Sequence, residues 1–131
     1  MNADLRRRVR RRAKGRCEYC RTPFRYDTIP EEVDHIIALQ HGGQTIAANL
    51  ALACLHCNSH KGPNIASLDP RDGALTRLFN PRGERWTHHF RLFGPIIVGL
   101  TPQGRATVRV LDLNDPLKVE ARAAMMEEGV F

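Results

Sequence analysis

Short apolar stripes alternate with dense polar runs along this chain, and the spacing of the stripes predicts its elements. Leu5, Val9 and Ala13 recur at i, i+4 and i+8 within residues 4–14, with arginines around the rest of the circumference, which predicts an amphipathic basic helix. Gly15 follows the last periodic residue, so the helix should stop just before Cys17. Residues 17–30 mix turn formers with Phe24 and Tyr26. They lead into Glu31-Glu32-Val33-Asp34-His35-Ile36-Ile37, whose β-branched content predicts a short strand carrying Asp34 and His35. Gly42-Gly43 breaks that pattern, and residues 49–53 resume an apolar stretch. Asn58-Ser59-His60-Lys61-Gly62 predicts a short helical turn closed by Gly62-Pro63.

Beyond Pro63 the pattern changes. Punctuation falls at Asp69-Pro70, Asn80-Pro81, Gly94-Pro95 and Thr101-Pro102, while Trp86, Phe90, Phe93 and Ile96-Ile97-Val98 supply apolar mass. Residues 105–113 alternate like a strand at Ala106, Val108 and Val110. Thr101-Pro102 is nevertheless a cap and first-turn signature, and the helical reading is preferred. Asp115 as N-cap and Pro116 in the first turn open a final helix running through Met126.

A length of 131 residues suits one compact domain, or a small module with a supporting extension. The expected division is 1–66 and 67–131, the second packed on the first rather than independent. No apolar run approaches the roughly 20 residues of a membrane span, and no hydrophobic segment follows the N-terminal arginines, so the chain reads as soluble and cytoplasmic. The net charge of +6 is unevenly spread: in residues 1–25 nine arginines and one lysine face only Asp4 and Glu18. Arg6, Arg7, Arg8, Arg10, Arg11 and Arg12 therefore form a cluster suited to phosphate oxygens, with a solvated helix face as the plainer alternative.

All four cysteines fall into two C-x-x-C pairs, Cys17/Cys20 and Cys54/Cys57, separated by 33 residues. Each pair sets two sulfurs on one tight turn, and together they supply the tetrahedral thiolate set of a structural Zn²⁺ site. Two disulfides, a redox motif or an iron–sulfur cluster are the alternatives; the absence of a signal segment and of a βαβ context disfavours the first two. Between and just after the pairs lie Asp34-His35, Asn49 and Asn58. A neutral imidazole is suited to take a proton from water, and carboxylate and carboxamide oxygens are natural ligands of a hard divalent cation.

Asp34-His35-Ile36-Ile37 with Gly42-Gly43, then Asn49-Leu50, then Cys54-Leu55-His56-Cys57-Asn58-Ser59-His60-Lys61-Gly62, resembles the HNH endonuclease family, in its bacterial branch with two C-x-x-C knuckles. The resemblance implies an α+β protein: a small ββα-metal core stapled by a four-cysteine zinc site, with an N-terminal basic helix and a C-terminal mixed extension. It implies a DNA endonuclease that leaves 5′-phosphate and 3′-hydroxyl ends. His35 would be the general base, and Asn49 would hold the loop between the strands and help orient it. Asp34 and Asn58 would hold a catalytic Mg²⁺ or Mn²⁺, with His60 as reserve ligand because Asn58 stands where the family has His or Asn. Lys61 is expected either at a phosphate or at the negative end of the helix dipole. His88 and His89 are expected to pack the extension beside Trp86 and Phe90. Segments around Leu78-Phe79-Asn80-Pro81-Arg82 and Trp86-Thr87-His88-His89-Phe90 also resemble the C-terminal extension of bacterial HNH proteins. The rival reading is a non-catalytic zinc-dependent nucleic-acid-binding module; a weaker one is a protein-interaction zinc finger.

Overall fold

Asn2 starts the first helix, α1 (Ala3–Ala13), its side chain accepting from the Leu5 amide at 2.8 Å. The computed structural model describes residues 1–131. Helix α1 ends at Ala13, short of the expected stop just before Cys17, because Lys14 itself adopts the left-handed conformation (φ 55°) and Gly15 follows it (φ 76°). The expected stripe is the buried one: Val9 and Ala13 pack with Leu50 and Leu52 in a small apolar cluster that Leu5 flanks.

Cys17 and Cys20 form the first knuckle directly after α1. Strand β1 (Glu32–His35) then pairs antiparallel with β2 (Leu50–Ala53), with Asp34 opposite Ala51 and His35 opposite Leu50. All four residues of β2 are buried, since α1 covers one face and the main core covers the other. Helix α2 (Leu55–Lys61) starts at the second knuckle and stops at Gly62 (φ 51°). It begins three residues before the expected turn because the Cys54 sulfur caps it by accepting from the Cys57 amide. The ββα unit is β1, β2 and α2.

The extension adds two hairpins, β3 (Ala66–Leu68) with β4 (Leu75–Arg77) and β5 (Phe90–Phe93) with β6 (Ile96–Gly99). Between the hairpins lies α3 (Trp86–His89), and after them come α4 (Pro102–Val110) and α5 (Pro116–Glu127). Thr101 caps α4 by accepting from Gly104, so the helical reading of this segment holds. A Cβ on Gly104 would stand 2.1 Å from the His89 carbonyl; glycine is what lets α4 lie this close to α3. Leu78, Phe79, Trp86, Phe90, Ile97, Leu111 and Leu113 share one core with the four cysteines, Ala51 and Ala53. Trp86 stitches the two parts together, its indole N–H donating to the Tyr19 carbonyl at 2.8 Å. No helix is long and apolar enough to cross a membrane.

Candidate metal and catalytic site

The two knuckles close on one another. The four sulfurs lie within 4.8 Å of each other, all four cysteines are buried, and none forms a disulfide. Cys20 Sγ and Cys54 Sγ are 3.8 Å apart, which is about the edge of a tetrahedron built on ~2.3 Å zinc–sulfur bonds. The Cys20 and Cys57 amides point at Cys17 Sγ and Cys54 Sγ respectively, both at 3.5 Å. This donor set fits Zn²⁺.

Two cations from α5 complete the surroundings. Lys118 Nζ lies 3.7 Å from Cys54 Sγ and 3.4 Å from Thr22 Oγ1, and Arg122 is fully buried, donating to the Pro95 and Leu113 carbonyls. Burial works against the Lys118 charge, but the cysteines outweigh it and push its pKa up. Four thiolates around a divalent ion carry a net charge of about −2. The two cations of α5 offset it, and nothing in the sequence pattern of α5 announces that role.

Strand alternation sends neighbouring side chains of β1 to opposite faces. Glu32 and Asp34 share the face turned toward α2, while His35 points to the other. On the α2 side Asp34, 4 % exposed, accepts from Tyr19 Oη at 2.6 Å and from Lys61 Nζ at 3.2 Å. Burial raises the Asp34 pKa, with Lys61 and Tyr19 pulling it back. Burial and the nearby carboxylate push the Tyr19 hydroxyl well above its ordinary value, so it stays a donor.

Lys61 corrects an expectation. It is 1 % exposed, and besides Asp34 it donates to the carbonyls of His35 (3.2 Å) and Ile36 (3.1 Å). A buried ammonium held by these oxygens is not available to a phosphate, although Lys61 does stand in the last turn of α2, where the dipole alternative puts it. Its place is as the internal cation that fixes the end of β1 against α2.

Asn58, one helical turn before Lys61 on α2, donates its amide to Glu32 Oε2. Its carboxamide oxygen makes no hydrogen bond within the chain. Glu32, Asp34 and Asn58 therefore present oxygen donors on one side of β1, a set suited to a hard divalent cation; Asp34 is the member most closed off. Glu32 escaped the sequence reading. Its position two residues before Asp34 on a strand was the available signal.

His35 is half-buried on the other side of β1, with Nε2 2.9 Å from the Thr45 hydroxyl. It is not packed into the core. Asn49 holds the intervening loop: its amide donates to the Ile37 and Gln44 carbonyls and its oxygen accepts from the Ile37 amide, all at 2.9 Å. Gly43 seats against this clamp, since a Cβ there would stand 1.7 Å from the Ile37 carbonyl oxygen and 2.9 Å from Asn49 Nδ2.

His60 lies elsewhere. It shares a helix face with His56, their ring centroids 4.1 Å apart, and turns toward Asp112 rather than toward Glu32 and Asp34. Of the N-terminal arginines, Arg6, Arg7, Arg8, Arg10 and Arg11 are exposed. Arg7 pairs with Asp4 and Arg10 with Glu31 (3.4 Å). Arg12 differs, since its guanidinium donates to the Leu50 carbonyl and so anchors α1 to β2. Arg8 and Thr45 line one groove, which places the basic helix beside the loop that meets His35.

Comparison with known proteins agrees with this arrangement. Residues 17–64 match the family model for the HNH endonuclease, spanning both knuckles, β1, β2 and α2. The chain is 25 % identical over 104 residues to the Septu protein PtuB of Bacillus thuringiensis, an alignment covering 78 % of this chain. It spans 38 % of that relative's length. No solved structure matches it. With its ββα unit, paired knuckles and Asp-His, Asn, Asn order, the segment 17–64 has the arrangement of the HNH endonuclease domain whose family model it matches.

Proposed function

We propose that the chain is a metal-dependent endonuclease that hydrolyses DNA phosphodiester bonds, with His35 as general base. One observation carries the reading. The His35 ring meets a hydroxyl in a loop clamped by Asn49, beside a groove that the basic helix lines, while Glu32 and Asp34 lie on the same strand and Asn58 on the helix packed against it. DNA would approach through Arg6, Arg8 and Arg11 of α1, whose charges suit phosphates. The His35 imidazole would take the proton of the attacking water, and Thr45 would orient the ring while the site waits for substrate. Asp34 and Asn58 would hold Mg²⁺ or Mn²⁺, with Glu32 adjacent. A divalent ion there supplies charge stabilisation at the phosphate and the departing oxygen.

A second reading, the non-catalytic zinc-dependent nucleic-acid-binding module, is favoured by the closure of Asp34 behind Tyr19 and Lys61. Supercoiled plasmid separates the two. A nuclease converts it to nicked or linear forms with Mg²⁺ or Mn²⁺ and stops on chelation of that ion, and Asn58→Ala slows it. A binding module shifts the plasmid's mobility, salt-dependently, and leaves it intact under every ion.

A further inference from the structure

Outside the thiolate cluster and the Glu32, Asp34 and Asn58 oxygens, the fold gathers a third group of ligand-type side chains. His56 and His60 stand one turn apart on α2, and Asp112 reaches them from the turn between α4 and α5. One nitrogen of each ring and one Asp112 carboxylate oxygen lie within 4.8 Å of one another. We propose that His56, His60 and Asp112 form a second transition-metal site, taking a borderline divalent ion such as Zn²⁺, Co²⁺ or Ni²⁺ and tying α2 to the extension.

The hydrogen bonds around the group suit that role. His60 Nδ1 is 2.8 Å from the His56 carbonyl, which can only accept, so the proton sits on Nδ1 and the Nε2 lone pair is free. A ring nitrogen donating to a backbone carbonyl while the other faces an ion is the usual support of a metal-bound histidine. His60 Nε2 and Asp112 Oδ2 are 4.0 Å apart, against about 3.3 Å across a tetrahedral ion with ~2.0 Å bonds, so this pair closes on an ion with a shift of about 0.7 Å. His56 is pinned to the same turn, its Nε2 2.8 Å from the Asp112 carbonyl. Asp112 sits at φ 48°, a left-handed conformation that aspartate tolerates better than most residues, and it stands at the point that meets the two rings.

Accessibility and ligand type agree. The His60 and Asp112 side chains are 42 % and 51 % exposed, so an ion can enter without unfolding. Two imidazoles and one carboxylate leave a position for water and favour Zn²⁺, Co²⁺ or Ni²⁺ over Mg²⁺. The site is also distinct in place. Within α2, Asn58 and Lys61 face β1 whereas His56 and His60 face the α4–α5 turn. An ion here would bridge the helix that carries Asn58, Cys54 and Cys57 to a segment outside the matched residues 17–64.

The test is metal content of the full chain equilibrated with micromolar Zn²⁺ and measured by mass spectrometry, for wild type, His60→Ala, Asp112→Asn and Asn58→Ala. Cobalt substitution separates the sites by spectrum, because only the thiolate centre gives intense sulfur-to-cobalt charge-transfer bands. The expected result is a second equivalent in wild type, weakened about 100-fold or more in His60→Ala and Asp112→Asn. Asn58→Ala keeps it, and the charge-transfer bands remain in every variant. One equivalent in wild type, a second equivalent that survives both His60→Ala and Asp112→Asn, or one lost only in Asn58→Ala would each overturn the site.

Discussion

Replacing Lys61 by Met removes a buried cation and leaves its partner in place. Asp34 and Lys61 are 3.2 Å apart and both nearly inaccessible. At an effective dielectric near 20 two unit charges at that separation attract by about 5 kcal/mol, most of which offsets their desolvation. Deleting one partner strands the other, a loss of about 3–5 kcal/mol, and here two backbone carbonyls lose a donor as well. Against a typical total of about 5–15 kcal/mol this is severe. Urea unfolding of the zinc-loaded chain, followed by Trp86 fluorescence, reads it directly. The sign with pH follows from Asp34, whose folded pKa is already raised by burial against the pull of Lys61 and rises further without it. A carboxyl with a raised folded pKa costs stability above that pKa, and the cost falls as acid protonates it. The gap between wild type and Lys61→Met should therefore be widest well above the Asp34 pKa and narrow as the pH falls through it. Adding Asp34→Asn should recover at least half of it at the higher pH. A loss below about 1 kcal/mol, or a gap indifferent to pH, would refute the reasoning.

Two further perturbations probe the zinc staple and the loop clamp. Cys54→Ser should abolish zinc retention and the cooperative thermal transition, because structural zinc contributes about 10–16 kcal/mol in comparable small folds; an unchanged melting curve would rule out the staple. Gly43→Ala forces a Cβ against the Ile37 carbonyl and Asn49, and should cost about 1–3 kcal/mol and slow cleavage while zinc content stays constant. Wild-type cleavage in that variant would show that the Asn49 clamp does not set the His35 loop.

How legible this was depended on the range of the forces involved. The α1 stripe, the knuckles and the Thr101 and Asp115 caps are local patterns, and each appears where the residues placed it. The hairpins β3/β4 and β5/β6 did not announce themselves. Their strands are three or four residues long, and Phe90-Arg91-Leu92-Phe93 and Ile96-Ile97-Val98-Gly99 lack the alternation that marks a half-buried strand. The interior contacts of Lys61 were hidden for a different reason. Its burial follows from the approach of α2 to β1 across 27 residues of chain, the Tyr19 bond to Asp34 spans 15, and no local pattern reports such contacts. Lys118 and Arg122 belong to the same class, more than 60 residues beyond the sulfurs they neutralise. The Asp34-His35 dipeptide located the strand but not its two faces, which only pairing with β2 assigns.

The central claim is that the imidazole of residue 35 does the proton chemistry on a zinc-built frame. His35→Ala tests it most directly, assayed on supercoiled plasmid with Mg²⁺ or Mn²⁺ in protein verified to hold zinc and to bind DNA. The nicking rate should fall by about 10²–10⁴-fold or more with zinc content and DNA affinity unchanged. Cutting at the wild-type rate, or binding and cutting lost together, would contradict it.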